Sequence, residues 1–172
     1  RLRLSNLDRD GTVAAVTSGK AQLGVAPLES VPDALMATHL TTVGQVLAVP
    51  AKHRFAARSR LKLADLAGER IVVPPSGRPQ RQMLGALLQS QQVPWDVAME
   101  ASGWELMLHF VALDAGVAVV NACCRMPKGV VAVALPELPS LRYQCFHLRG
   151  LHASSPVMRL RAVLLAHGDQ WK

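Results

Sequence analysis

The residues best suited to binding a ligand lie in a turn that precedes a predicted helix. Ser76, Gly77 and Arg78 follow the apolar run Ile71–Val73 and precede Pro79, a residue that favours the first helical position. Backbone N–H groups at a helix start lack intrahelical acceptors, and a hydroxyl and a guanidinium stand beside them. This combination suits a carboxylate, so we predict that Ser76, Gly77 and Arg78 contact a ligand. The alternative is a purely structural turn with Arg78 in solvent.

Four other residues are candidates for the same ligand. The segment SGWE has the spacing of a capping box, which predicts a second helix start with Ser102 as its cap. Trp104 could then supply an apolar wall. Pro27 and Asn121 stand at the ends of predicted strands and complete the candidate set. For each of these residues a structural role alone is the alternative.

Catalytic and metal chemistry have little support in the sequence. The six histidines show neither HxxxH nor HExxH spacing, and no GxSxG, dinucleotide-binding GxG or GK[ST] motif occurs. Cys123 and Cys124 are adjacent and Cys145 stands alone, which suits neither a zinc site nor a disulfide framework. We therefore predict no catalytic residues, no metal, no cofactor and no enzymatic activity.

The composition indicates a globular protein of a reducing compartment. Half of the 172 residues are apolar, and only 4% are aromatic, which disfavours a base-stacking nucleic-acid platform. The net charge of +7 is scattered, and the basic segment 52–62 is interpreted first as a solvated loop. Free cysteines, no secretory signal and no apolar stretch of membrane length favour a cytoplasmic protein without membrane contact. The start at Arg1 without an initiator Met suggests a fragment.

Short β-like runs alternate with helix-like segments, which predicts an α/β fold. The last helix should turn Val157, Leu160, Val163 and Leu164 inward. The predicted strands are Arg1–Ser5, Gln22–Ala26, Met36–Pro50 with a bend at Gly44, Ile71–Val73, Trp95–Ala101, Val117–Val120, Val130–Leu135 and Leu141–Leu148. The predicted helices begin at Asp10, Pro79, Ser102 and near Pro156, with a single turn at Leu63–Ala67.

The block 50–121 has a self-contained alternation of predicted strands and helices, and the two flanking segments resemble each other in their pattern of predicted elements. We therefore predict one lobe, lobe II, at 50–121, inserted between two halves of lobe I at 1–49 and 122–172. Ligands of open α/β sheets bind beyond the carboxyl ends of the strands, where helix N-termini point. Two such lobes facing each other would form a cleft.

Four segments in order resemble the effector domain of LysR-type transcriptional regulators. They are TVAAVTSGKAQLGVAP at 12–27, GQVLAVPAKHRFA at 44–56, LKLADLAGERIVVPP at 61–75 and ELMLHFVALDAGVAVV at 105–120. The third is similar to the family's "l.l.dLag...i" step, and the fourth to its "l..lVaaGlGial.p" segment. Departures are Gln22, where the family has Asp, and Asn121, where it often has Pro.

The resemblance implies a two-lobed, type 2 periplasmic-binding-protein-like fold, here without its first βα unit and without the winged helix-turn-helix. It further implies a small-molecule effector, with organic anions favoured by Arg78 and the positive charge, held in the interlobe cleft. Effector binding would alter a homodimer or homotetramer on DNA, which is contacted only through the absent N-terminal domain. A periplasmic-type solute-binding protein is the main alternative, followed by an enzyme on the same fold and a nucleic-acid-binding module.

Overall fold

The computed structural model describes residues 2–151 and 156–171. The chain divides into two compact units: unit 1 comprises Arg1–Val43 and Ser140–Lys172, and unit 2 comprises Gly44–Pro139. These boundaries differ from the predicted ones, which lay after residues 49 and 121. Strand Gln45–Pro50 hydrogen-bonds to two later strands, Ala118–Asn121 and Val130–Ala134. This shared backbone pairing places all three strands in unit 2.

The elements are close to the predicted ones, with ends that differ by a few residues. Gly44 separates two strands, as predicted for the long extended stretch. Two 3-10 turns lie at Leu63–Leu66 and Gly168–Trp171. The helices and strands of the described residues are α1 Arg9–Thr17, β1 Gly24–Pro27, β2 Leu35–Val43, β3 Gln45–Pro50, β4 Arg70–Val73, α2 Pro79–Ser90, β5 Asp96–Glu100, α3 Trp104–Ala112, β6 Ala118–Asn121, β7 Val130–Ala134, β8 Leu141–Leu148 and α4 Pro156–Ala166.

Unit 1 is built on a three-stranded antiparallel sheet in the order β1-β8-β2. Helix α1 packs its buried Val16 onto this sheet against Phe146 and Leu35. Helix α4 carries no buried residue among those described, but its Arg161 guanidinium donates a hydrogen bond to the Thr38 hydroxyl on β2. Unit 1 is therefore held mainly by α1 and the sheet.

Unit 2 combines an antiparallel sheet, β6-β3-β7, with the parallel pair β4-β5. A parallel bridge between Ile71 and Val117 joins β4 to the residue that precedes β6. Successive strand residues point to opposite faces, so Leu47 and Val49 enter one core cluster and Ala48 enters another. Helix α2 packs on the first cluster and α3 on the second. The strands of unit 2 are consequently covered by apolar side chains on both faces.

The basic segment 52–62 is fixed to unit 2 by ion pairs. The Arg54 guanidinium lies 2.7 Å from the Glu69 carboxylate, and the Arg58 guanidinium lies 3.6 Å from Asp65. Phe55, between these two arginines, is buried in the core of the unit. These contacts give two of the basic side chains a structural role.

Two local predictions at the N-terminus and one at the C-terminus are wrong. Within the predicted strand Arg1–Ser5, the described residues 2–5 are irregular and exposed, because no neighbouring strand pairs with them. Asp8, not Asp10, caps α1 by accepting a hydrogen bond of 2.7 Å from the Gly11 N–H. Val163, predicted to face inward, has 55% of its surface exposed.

Candidate functional site

One edge of the unit 2 sheet gathers the carboxyl ends of three strands. Strands β4 and β5 run parallel, and the bridge between Ile71 and Val117 sets β6 parallel to β4. Their carboxyl ends therefore point the same way, and antiparallel β3 begins beside the end of β6, with Gln45 opposite Asn121. We call this the strand-end edge; it consists of the segments 74–80, 101–104 and 121–122 together with Gln45.

The first segment of the strand-end edge is the turn between β4 and α2. Ser76, Gly77 and Arg78 are all exposed, and Gly77 adopts a φ of 85°, a conformation that glycine permits. Arg78 is the N-cap residue of α2, and its carbonyl accepts a hydrogen bond of 3.0 Å from the Gln82 N–H. Pro79 occupies the first turn, as predicted. The turn thus presents a hydroxyl, a guanidinium and a helix start on one exposed loop.

The second segment lies between β5 and α3, and here the capping prediction is wrong. The N-cap is Gly103, with a φ of 91°, and no side chain caps the helix. Its carbonyl accepts a hydrogen bond of 3.1 Å from the Met107 N–H. The helix therefore begins one residue later than predicted. The Ser102 hydroxyl is exposed just before the first turn of α3, whose backbone N–H groups have no acceptor within the helix. Trp104 is half-buried against the core cluster that α3 covers.

The third segment is the end of β6, where Asn121 is only 2% exposed. The Asn121 carbonyl accepts a hydrogen bond of 3.0 Å from the Cys124 N–H, and the Ala122 N–H donates to the Gly44 carbonyl at 2.8 Å. These bonds fix the turn that follows β6. Six of the seven predicted contact residues thus lie on the strand-end edge: Ser76, Gly77, Arg78, Ser102, Trp104 and Asn121.

Two glutamines at the same edge were missed by the sequence analysis. Gln45 Nε2 donates to the Pro139 carbonyl at 2.7 Å, and Gln80 Nε2 donates to the Val119 carbonyl at 2.9 Å. The Oε1 atoms of both side chains are buried and have no hydrogen-bond partner within the described part of the chain. Buried acceptors are normally satisfied, so these two oxygens are suited to a ligand donor. A polar residue at the start of the apolar run GQVLAVP was the available signal for Gln45.

Pro27, the seventh predicted contact residue, lies in unit 1. It is the last residue of β1, is half-buried and pairs with Tyr143 of β8. On the same sheet, the register sets Thr41 of β2 opposite Tyr143 as well. Thr41 is 2% exposed, and its hydroxyl has no hydrogen-bond partner among the described residues. Pro27 of β1 and Thr41 of β2 thus flank Tyr143 from the two sides of β8. The buried Thr41 hydroxyl was not among the residues predicted from the sequence.

Cys124, which lies beside the strand-end edge, and Cys145 of unit 1 are poorly suited to nucleophilic chemistry. Burial, and next the neighbouring Cys123, raise the pKa of the Cys124 thiol to about 11. Burial also raises the pKa of Cys145 in unit 1. A thiolate is the reactive form, so both thiols are protonated and weakly reactive at neutral pH. Across residues 2–151 and 156–171, no group of three or more His, Cys, Asp or Glu side chains could hold a metal ion.

The fold is shared with several solved regulators. A putative LysR family transcriptional regulator from Pseudomonas aeruginosa, the PA01 protein, superposes with a TM-score of 0.77 at 19% identity over 98% of this chain and 59% of that one. The CcmR regulatory domain of Synechocystis PCC6803, solved with 2-PG, gives a TM-score of 0.78 at 16% identity over 92% and 79% of the two chains. The effector binding domain of BenM, solved with its effector benzoate, gives 0.73 at 18% identity over 99% and 80%.

The sequence comparison agrees with the structural one. No curated protein matches the chain. The chain spans 59% of the length of the first regulators that it superposes on, the PA01 protein and HinK. The family model described as "LysR substrate binding domain" matches residues 1–169, nearly the whole sequence. The predicted type 2 periplasmic-binding-protein-like α/β fold is thereby confirmed, and the chain belongs to the LysR substrate binding domain family.

Proposed function

We propose that this domain senses a small organic anion for a LysR-type transcriptional regulator and binds it at the strand-end edge. The observation that carries the proposal is the convergence on one edge of two helix starts, the Arg78 loop and two buried amide oxygens. Ligands of parallel α/β sheets bind at such edges. The six predicted contact residues of this edge remain the proposed contacts, and a role for Pro27 in unit 1 stays a separate prediction.

The chemistry of the edge favours a carboxylate that also carries a hydroxyl group. N–H groups in the first turns of α2 and α3, together with the partial positive charge of each helix start, attract an anion. The Arg78 guanidinium adds a full positive charge on the connecting loop. The Oε1 atoms of Gln45 and Gln80 accept hydrogen bonds and so select a donor. The effector binding domain of QuiR, another solved structure of this fold, is in complex with shikimate, which carries both groups.

Within the complete regulator, we propose that effector binding shifts the arrangement of a cytoplasmic homodimer or homotetramer on DNA. The effector must then bind the two arrangements with different affinities, since equal binding would shift nothing. Contact with DNA belongs to a separate DNA-binding domain in this proposal, and the sensing domain itself is not catalytic. Within residues 2–151 and 156–171, none of the helices has the length and apolar character that a bilayer-spanning segment requires.

A thermal-shift screen with organic acids, amino acids and sugars tests this proposal. A ligand that binds the native state raises the melting temperature, and a concentration of one hundred times Kd adds about 2.7 kcal/mol of stability. We expect hydroxylated carboxylates to give the largest rise. The Arg78→Ala variant should lose most of it, and Gln80→Leu should reduce the preference for hydroxylated acids over their deoxy analogues.

The matched control is Arg70→Ala, because Arg70 is an exposed arginine at the opposite end of β4. This variant should keep the ligand-induced rise. A screen in which no acid stabilises the protein while one panel member is chemically converted would overturn the sensor proposal in favour of an enzyme. Equal losses in both arginine variants would show that only net charge matters and would contradict the assigned site.

A further inference from the structure

Unit 2 contains a concave surface away from the strand-end edge. It is a cleft of about 530 Å³ beside Asp96, the first residue of β5, whereas the strand-end edge follows the last residue, Glu100. This volume is in the range of small-molecule sites. We call it the Trp95 cleft, and its walls include Gly85, Gln89, Val93, Pro94, Trp95 and Asp96.

The walls of the Trp95 cleft are mainly apolar. Val93 is buried at the floor, and the half-buried Trp95 ring and the Pro94 ring stand beside it. Gly85, on the α2 side, contributes no side chain, and an added Cβ there would meet only the Trp95 ring, at 4.0 Å. The indole therefore packs over Gly85, and a flat or compact apolar group can rest on the part of the Trp95 side chain that stays exposed.

Of the described residues, the only charged one that lines the cleft is acidic. Asp96 supplies an exposed carboxylate, and no Lys or Arg lines the cleft. Gln89 lies in the last turn of α2, which carries no basic residue, so the partial negative charge of the helix end is uncompensated there. The Trp95 ring already holds a cation, since the Arg81 guanidinium carbon lies 4.8 Å from its centroid. The Asp96 carboxylate and the end of α2 therefore attract positive charge, whereas the cation-π position on Trp95 is already taken by Arg81.

We propose that the Trp95 cleft is a second ligand site, which binds a small organic ammonium ion. The ammonium group lies beside Asp96 and the end of α2, and the apolar part rests on Trp95 and Val93. This preference is opposite in charge to that of the strand-end edge. The two sites are separate in the fold of unit 2, so each can be tested without the other.

The probe is phenethylammonium, compared with phenethyl alcohol and hydrocinnamate, which keep the ring and alter the charge. Binding is followed by the NMR resonance of the Trp95 indole N–H, assigned with a Trp95→Phe variant. We expect saturable binding of phenethylammonium, weaker binding of the alcohol and none of the carboxylate. A ranking in which the ammonium binds no better than its two analogues would overturn the proposal.

Two variants distinguish binding in the Trp95 cleft from non-specific binding elsewhere on the protein. Asp96→Asn should weaken phenethylammonium binding roughly fivefold, as expected for an exposed charge pair, and leave the alcohol unaffected. Gly85→Leu should fill the cleft and abolish binding of both. Asp33→Asn, an exposed aspartate of unit 1, is the matched control and should bind like the wild type. Wild-type affinity in both Asp96→Asn and Gly85→Leu, with circular dichroism showing that both are folded, would refute the assignment.

Discussion

Cys124 is a residue whose chemistry the fold alters through burial. Its side chain packs on the α3 core cluster of unit 2, while the adjacent Cys123 is exposed. Removal from water disfavours the thiolate, and a second thiol next to it disfavours the charge further. The pKa of Cys124 consequently rises from 9.0 to about 11. Adjacent cysteines in a sequence do not reveal this difference, because burial depends on the tertiary packing around each one.

The raised pKa predicts a loss of stability at alkaline pH. The folded state favours the protonated thiol, so this contribution is present below pH 9.0 and is lost as the pH rises towards 11. Because the thiol is only half-buried, we expect an effect of about 1 kcal/mol after solvent screening. Cys124→Ala should therefore lose less stability than the wild type between neutral pH and about pH 10. Urea denaturation at each pH measures this difference.

Cys123→Ser is the control for that experiment. It should keep most of the alkaline loss, because burial is the larger cause of the shift at Cys124. Cys145 also has a raised pKa, so every variant should still lose some stability at alkaline pH. Identical pH profiles for Cys124→Ala and the wild type would contradict the assignment of the shift to this thiol.

The proposed contact residues show which candidates a sequence alone can single out. Arg78 and Ser76 were identifiable because a proline and a polar turn mark a helix start locally. Gln80 was not, and Gln45 was marked only as a polar residue at the start of an apolar run, because their proposed roles depend on buried amide oxygens whose Nε2 partners are Val119 and Pro139. Those partners are 94 and 39 residues away along the chain, and no local pattern reports such a contact.

Strand β4 and the start of β6 approach each other closely at one glycine. Gly116 adopts a φ of 155°, and a Cβ at this position would lie 2.4 Å from the Arg70 carbonyl oxygen. The adjacent Val117 N–H donates a hydrogen bond of 2.9 Å to that same oxygen. The contact between these elements, which aligns the parallel strands behind the strand-end edge, therefore requires a residue without a side chain at Gly116.

Gly116→Ala is predicted to lower the free energy of unfolding by about 1–3 kcal/mol. The added Cβ must displace backbone that is held by the hydrogen bond from Val117. Gly85→Ala is the matched control: its Cβ makes only an ordinary contact at 4.0 Å, and alanine favours a helix interior by up to about 1 kcal/mol. Urea denaturation should thus show opposite signs for the two substitutions. Equal stability of Gly116→Ala and the wild type would contradict the close approach.

Element ends were less accessible to sequence reasoning than element types. The SGWE segment has the spacing of a capping box, yet Gly103 takes the cap position with a backbone conformation that places Ser102 outside the helix. Asp8 replaces Asp10 as the cap of α1 for a similar reason, since either aspartate satisfies the local rule. Tertiary packing chooses among several acceptable caps, and the choice moves each end by one or two residues.

The charge of the whole chain, +7, invites the hypothesis of direct DNA binding. The structure weakens it, because Arg54 and Arg58 of the basic segment are paired with Glu69 and Asp65. Basic side chains that are already paired release fewer counterions from DNA. The paired arginines of this segment therefore do not form a ready DNA-binding surface.

We accordingly predict only weak, sequence-independent DNA binding by this chain. Fluorescence anisotropy with two duplexes of unrelated sequence should give equal affinities that fall steeply as salt is raised towards about 0.15 M. The control is a sulfated polysaccharide competitor, which should displace both duplexes alike. A preference of more than about tenfold for one duplex at that salt concentration would show specific recognition and contradict the prediction.

The sequence by itself determined the α/β class, the order of the elements from α1 onwards, the two turns that precede α2 and α3, and the family resemblance. These properties are local, because hydrophobic periodicity and the positions of Gly and Pro act over a few residues. Only the tertiary structure decided that β3 pairs with β6 and β7, which placed the unit boundaries at Val43 and Pro139. It also decided that the turns and the buried glutamines meet at one edge. Backbone pairing between distant strands carries no side-chain signature, so the sequence could not determine it.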